Sequence, residues 1–362
     1  VSVTPVVIDA TALSGEGGYS GIGTYVANLV GALARRDDVA VTALVADDTA
    51  LPDGVEPRPV SRWWRERRRA LLEHEVRMVV DLRRAPDGLL HSPSVDPPRW
   101  PGRPFVQTLF DTIPLTCDDA DLVPVKRLWQ RWAPRYRQAA AVLAISQHSA
   151  DDGIRVLGLD PRRVHVVPLG VGPEFSPRPC DERSDVPSVL LVAEYSDRKG
   201  FADAFAAIAD VADAGLPHRL LVAGRIRPAT EARLRAAVAH APNPDRIEVL
   251  GYVDDLPARY RSADAVIVPS RYEGFGLPAL EAMACGVPVI AYDNTALPEV
   301  IGDAGVLVPD GDAAALGRAL LAVLTDAPRR GDLIEAGLAR AARFSWEQVA
   351  AETAAVYHEV AG

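Results

Sequence analysis

Lysine is nearly missing from this chain of 362 residues: Lys126 and Lys199 are the only two, although Lys and Arg together number 39. Such a bias makes a lysine a position to note where arginine is the habit. Cysteine is as scarce. Cys117, Cys180 and Cys285 are odd in number, far apart and outside any Cys-x-x-Cys spacing. That argues against a disulfide framework and a cysteine zinc site, and fits a reducing cytoplasm. Apolar runs are short, well under the roughly 18 residues of a membrane-spanning helix, so none is expected. The opening stretch VSVTPVVIDATAL carries no charged segment ahead of an apolar one, so no signal peptide is expected either. No long basic stripe offsets the net charge of −10. A general nucleic-acid binder is thereby disfavoured, because backbone phosphate affinity comes from clustered Lys and Arg.

What the chain has is alternation. Short apolar, β-branched runs at Val6–Ile8, Val39–Val45, Phe105–Leu109, Ala141–Ile145 and Val164–Pro168 are separated by longer helical stretches. A second series runs through Ser188–Val192, Leu220–Ala223, Ile247–Leu250, Ala265–Val268, Val287–Ala291 and Gly305–Val308. Strand, helix, strand in this order predicts an α/β fold with two parallel, doubly wound sheets. Between the series lies GVGPEFSPRPCDERSDVP, rich in proline, glycine and charge, which reads as a hinge. The expected domains are residues 1–174, residues 175–345 and a final helix over 346–362 with Ser345 as its N-cap.

Ligands of open α/β sheets bind beyond the carboxyl ends of the strands, so the loops after strands are where chemistry is sought. Four stand out. SGEGGYSGIGTY places Gly15, Gly17, Gly18, Gly21, Ile22 and Gly23 before an apolar helix. Backbone amides there make either an anion site or a plain flexible turn. A dinucleotide fingerprint is disfavoured, because Asp9 ends the strand too far ahead of Gly21. YSDRKGF puts Arg198 and Lys199 at the amino end of a helix, where an anion is already favoured; the alternative is a solvated helix start.

SRYEGFGLPALEAMACG carries Glu273 on a loop and Glu281 inside the helix that follows, with Pro278 in its first turn and Gly286 past its end. A carboxylate accepts two hydrogen bonds and a vicinal diol donates two, so Glu281 can grip a ribose and Glu273 a sugar. The amides of Phe275, Gly276 and Leu277 can then meet a phosphate, and a valine at Gly276 is expected to crowd it. The alternative is a glutamate that merely suits the helix dipole. QTLFDTIPL sets Asp111 at a strand's carboxyl end, as an active-site acid or a turn former. The triplets at Asp119–Asp121 and Asp310–Asp312 are what chance gives in an aspartate-rich chain, and no metal site is assigned. SRWWRERRRALLEHEV, from Ser61, reads as a solvated arginine-rich helix with inward tryptophans, ahead of a helix lying on an anionic membrane face.

The stretch Leu250–Pro309 closely resembles the donor-binding region of the retaining family-4 glycosyltransferases, which have the GT-B fold of two Rossmann-like domains facing a central cleft. GIGTY, HVVPLGVGPEF and FSWE are similar to other segments of that family. The resemblance implies metal-free transfer of a hexose or deoxyhexose from a GDP-, dTDP- or UDP-sugar to a hydroxyl of a glycan, lipid-linked or small-molecule acceptor, with retained configuration and no cofactor. It implies that Glu281 holds the ribose and Glu273 the sugar. It implies further that Arg198 and Lys199 hold the pyrophosphate, that Gly21, Ile22 and Gly23 form a phosphate loop, and that Tyr252, Val253, Gly274, Phe275, Gly276 and Leu277 border the donor. Glu273, Asp111, Lys199 and Arg198 are its implied catalytic set. A cytoplasmic enzyme, with contact at the inner membrane face as the variant, is the expectation.

Two positions depart from the family pattern. Glu194 stands where many relatives have arginine, and Phe110 where many have histidine before the aspartate. DRKG and DTIPL are similar to a mannosyl- and rhamnosyltransferase-like subgroup. No nucleophile stands out, which favours same-face attack by the acceptor over a covalent glycosyl-enzyme. A sugar phosphorylase and a non-catalytic nucleotide-sugar-binding subunit are the rival readings.

Overall fold

The computed structural model describes residues 3–13, 21–45, 49–60, 85–99, 101–117, 122–177 and 186–362. Two compact units emerge: Val1–Gly170 together with Ser345–Gly362, and Val171–Phe344.

The first unit is built on seven parallel strands: β1 (Thr4–Asp9), β2 (Val39–Val45), β3 (Glu56–Pro59), β4 (Leu89–Ser92), β5 (Phe105–Leu109), β6 (Ala141–Ala144) and β7 (Val164–Val166). Their order is β3-β2-β1-β4-β5-β6-β7. Two of them carry no apolar run that local reading could catch. β3 is Glu-Pro-Arg-Pro on an exposed edge, where proline's missing donor does no harm. β4 is short and ends in His91 and Ser92, both buried. Helix α1 (Gly21–Ala34) turns Tyr25, Val26, Leu29, Val30 and Leu33 inward at helical spacing. Helices α2 (Ile113–Thr116), α3 (Val123–Tyr136) and α4 (Gln147–Asp152) complete what the argument needs of this unit.

The C-terminal helix, Trp346–Ala361, belongs to the first unit because of what it buries there. Ser345 caps it, accepting from the Gln348 N–H at 3.2 Å. Beneath it runs a buried polar chain: Tyr357 Oη to His91 Nδ1 at 2.6 Å, His91 Nε2 to Thr108 Oγ1 at 2.8 Å, and Thr108 Oγ1 to Tyr25 Oη at 3.2 Å. Burial lowers the His91 pKa to about 3, so the ring is neutral and one nitrogen donates while the other accepts.

Six parallel strands form the second sheet: β8 (Ser188–Val192), β9 (Arg219–Ala223), β10 (Ile247–Gly251), β11 (Ala265–Val268), β12 (Val289–Asp293) and β13 (Val306–Pro309). The order is β10-β9-β8-β11-β12-β13. Helices α5 (Phe201–Asp213), α6 (Pro228–Ala239), α7 (Leu256–Ser262), α8 (Leu277–Ala284), α9 (Leu297–Ile301), α10 (Ala313–Thr325) and α11 (Ala327–Ala341) cover it. Val189, Leu191, Phe205, Ile208, Leu220, Ile267, Ile290 and Leu320 pack into one core. Entry and exit of this unit are tied, the Val171 N–H donating to the Phe344 carbonyl at 3.0 Å.

Both sheets reverse their winding between their first and fourth strands. In such a sheet the loops leaving those two neighbours diverge and open a crevice at their carboxyl ends. In the second unit that point lies between β8 and β11.

Candidate active site

β8 and β11 run side by side in parallel, with Ala265 opposite Val189 and Val266 opposite Leu190. Their carboxyl ends therefore deliver Arg198 and Lys199 from one loop and Glu273 from the other to one place. The loops touch closely. Gly200 has φ +65°, and a Cβ there would stand 1.9 Å from the Pro269 carbonyl oxygen, so only glycine permits the approach. The Arg271 N–H donates to the Arg198 carbonyl at 2.7 Å, and the Arg198 guanidinium donates to the Tyr272 carbonyl at 3.3 Å.

Lys199 Nζ meets Glu273 Oε1 at 2.5 Å, with the two side chains only 12% and 10% exposed. Burial pushes the Glu273 carboxyl up. The Lys199 charge and hydrogen bond, the nearby Arg198 charge and a hydrogen bond from Ser270 outweigh it and leave the pKa below its usual value. Glu273 is thus held as an anion and Lys199 as a cation, a buried pair in which each depends on the other.

Glu281 lies just past the first turn of α8, whose axis starts at Gly276. The buried Tyr260 hydroxyl, from α7, donates to Glu281 Oε2 at 2.9 Å. Burial raises the Glu281 carboxyl to about 7; the Tyr260 bond pulls it down and the Glu174 charge pushes it up. One carboxylate oxygen is engaged by Tyr260, and Oε1 faces no such bond from it. Gly276 has φ +105°, and a Cβ would meet Leu297 Cδ2 at 2.8 Å. The need for glycine here comes first from the protein's own backbone and Leu297, which corrects the expectation that a valine would act by crowding a phosphate.

Tyr252 and Val253 follow the edge strand β10, and Tyr252 is 55% exposed. Phe275 is buried with its ring edge-on to Phe344, 6.0 Å between centroids. Glu194, at the arginine position of many relatives, receives Arg227 from the turn before α6, at 2.9 Å. A cation is thus drawn to that spot from another strand's loop. Asp310 accepts from Asn294 Nδ2 at 2.8 Å, and Asp312 caps α10 by accepting from the Ala315 N–H at 2.8 Å, so this triplet has structural work.

In the first unit, Gly21, Ile22 and Gly23 form the first turn of α1, and a Cβ on Gly21 would meet no atom within 4 Å. Gly15, Gly17 and Gly18 lie outside the described residues, as do Asp119, Asp121 and the arginine-rich stretch from Ser61. Asp111 Oδ1 accepts from the Ile113 N–H at 2.9 Å, which is the turn-forming role. Phe110 packs edge-on against Tyr25, 5.2 Å between centroids, filling its place with an apolar contact. Among the described residues no three His, Cys, Asp or Glu side chains gather as a metal site, and no helix is long and apolar enough to cross a membrane.

Sequence reading did not find Tyr260 or Thr295. Tyr260 is mid-helix and looks like any core aromatic. Thr295 lies two residues beyond β12, a polar residue past a strand end like Lys199 and Glu273; its hydroxyl accepts from the Glu273 N–H at 3.1 Å.

Both units have relatives among known proteins. The chain is 33% identical over 295 residues, 71% of its own length and 66% of the relative's, to the MMP alpha-(1->4)-mannosyltransferase of Mycolicibacterium hassiacum. It spans about two thirds or less of the length of the curated relatives it matches. The sucrose-phosphate synthase of Thermosynechococcus elongatus shares the fold, with a TM-score of 0.78 at 24% identity and 98% of each chain covered. Anabaena HepE, solved in complex with UDP and glucose, does so with a TM-score of 0.74 at 19% identity, over 99% of this chain and all of its own. The family described as Glycosyltransferase Family 4 matches residues 19–175 and that described as Glycosyl transferases group 1 matches residues 174–340. With its two parallel-sheet units and these matches across both, the chain belongs to the family-4 glycosyltransferases of GT-B fold.

Proposed function

We propose that the protein moves a hexose or deoxyhexose from a nucleoside diphosphate to a hydroxyl of a sugar-containing acceptor, with retention at the anomeric carbon and without a metal. The observation that carries this reading is the buried Lys199–Glu273 pair at the β8/β11 crevice, beside α8 and Glu281. Breaking the anomeric bond puts negative charge on the diphosphate and oxocarbenium character on the sugar. Arg198, Lys199 and the amide end of α8 supply fixed positive potential for that leaving group, the role a divalent ion has in metal-dependent transfer. Glu273, anchored through Oε1, presents its second oxygen to a sugar hydroxyl. Glu281 Oε1 accepts from a ribose hydroxyl. The acceptor hydroxyl attacks from the side the diphosphate leaves, and its proton passes to the leaving phosphate oxygen, so no protein nucleophile is required.

The named activity of the mannosyltransferase relative and the UDP and glucose bound by HepE support a nucleotide-sugar donor, with mannose and glucose as the first sugars to try. The test is thermal stabilisation by UDP, GDP, dTDP and ADP, followed by release of the stabilising nucleotide from its sugar conjugates in EDTA. One nucleotide is expected to stabilise wild type by about 2.7 kcal/mol at a hundredfold excess over Kd, and Glu281→Ala to lose that response. Stabilisation by none, or turnover only of a sugar phosphate, would refute the reading.

A further inference from the structure

We propose that Thr295 is a positioning residue that sets the backbone of Glu273 for sugar transfer, a role that rests on the transfer reading above. Among the described residues Thr295 alone combines a side chain with positive φ, at 47°. The left-handed region is disfavoured for any residue with a Cβ and most of all for a β-branched one, so the surroundings must hold Thr295 there. Glycine would adopt that backbone freely; what glycine lacks is the hydroxyl.

The hydroxyl is used twice. Oγ1 accepts from the Glu273 N–H at 3.1 Å and donates to Asn294 Oδ1 at 3.1 Å. Asn294 Nδ2 in turn donates to the Ser270 carbonyl at 3.0 Å and to Asp310 at 2.8 Å. Two consecutive residues beyond β12 thus hook the 270–273 segment at both its ends. That segment has no strand or helix to hold it, and Tyr272 through Gly276 are buried. A buried N–H needs a partner, and for Glu273 the partner is Thr295. Lys199 fixes the carboxylate and Thr295 fixes the main chain from which it projects. With either missing, the carboxylate swings relative to the crevice.

The role predicts that stability and turnover part company. Thr295→Gly relieves the backbone but leaves the buried Glu273 N–H unpaired, opposing effects of similar size, so it should melt close to the wild-type midpoint. Its kcat for sugar transfer should fall about tenfold, the worth of one lost hydrogen bond, while affinity for the free nucleoside diphosphate stays within about twofold. Thr295→Ser should restore kcat. Amide hydrogen exchange over 269–276, read with no substrate present, should accelerate in Thr295→Gly and match wild type in Thr295→Ser. Unchanged exchange would overturn the proposal, and so would a joint loss of midpoint and diphosphate affinity. Unchanged kcat in Thr295→Gly, or no rescue by serine, would overturn it as well. A wild type that turns over no nucleotide sugar would instead remove the transfer reading, and the exchange experiment would still decide whether Thr295 holds the loop.

Discussion

Replacing Tyr260 by phenylalanine should move the pH at which nucleotide sugar binds. On the transfer reading Glu281 accepts from a ribose hydroxyl, and it does so far more strongly as a carboxylate than as an acid, while burial raises its carboxyl to about 7. One unit below that value only about a tenth of the molecules carry the anion, so binding through Glu281 weakens about tenfold for each unit of acidification. The Tyr260 hydroxyl, 2.9 Å from Oε2, stabilises the anion. A bond to a charged group contributes ~1.5 to 3 kcal/mol, which is about one to two pKa units. Tyr260→Phe should therefore push the inflection up by at least about one unit. An intact nucleotide sugar is the right probe, because its diphosphate is a diester and does not titrate there. Calorimetric Kd from about pH 6 to about pH 9 gives the curve, and Glu281→Gln should flatten it. Folding responds with the opposite sense. The folded pKa lies above the unfolded value of 4.5, so the contribution of Glu281 to stability is greatest below pH 4.5 and declines as pH rises to about 7. The loss is about 3 kcal/mol before discount for the partial exposure of Glu281. A Kd independent of pH in wild type, or an inflection that Tyr260→Phe leaves in place, would refute the assignment of Glu281.

Gly200→Ala should destabilise the second unit by about 3 kcal/mol or more, seen as a lower urea midpoint, since the added carbon would stand 1.9 Å from the Pro269 oxygen at a φ of +65°; a midpoint like wild type would show that the two loops are not in contact. Tyr357→Phe leaves buried His91 Nδ1 without its partner and should cost ~1 to 3 kcal/mol in the first unit. His91, neutral down to about 3 when folded and protonating at 6.5 when unfolded, takes stability away as pH falls through 6.5 toward 3. His91→Phe should blunt that acid sensitivity, and an unchanged acid limb would contradict it.

The strands that carry the site were legible because β8 and β11 are apolar runs followed at once by polar residues. Lys199 and Glu273 were each found that way. Their pairing was not legible, since it depends on β8 and β11 being neighbours, and strand order is set by long-range packing that no local pattern encodes. β3 and β4 escaped for the same reason that periodicity fails on four-residue strands: one is all exposed, the other all buried. Asp111 offered two readings from sequence that one residue can satisfy together, since Oδ1 takes the Ile113 N–H at 2.9 Å and a carboxylate has a second oxygen. Gly276 was noticed for a ligand, whereas its φ and Leu297 already demand it. Thr295 shows the limit most clearly, because a positive φ at a β-branched residue runs against propensity and arises only in the folded backbone.

The bond from Val171 to Phe344 joins the two places where the chain enters and leaves the second unit. Arg198, Lys199, Tyr260, Glu273, Glu281 and Thr295 all fall between them. They form a cassette whose ends meet, carried by one continuous stretch of the chain. Recombination at those two adjacent joints would exchange the whole constellation between relatives in a single event, leaving the polar chain under the C-terminal helix and the Asp111 turn untouched. Change in the second unit and change in the first can then proceed on separate segments of one polypeptide.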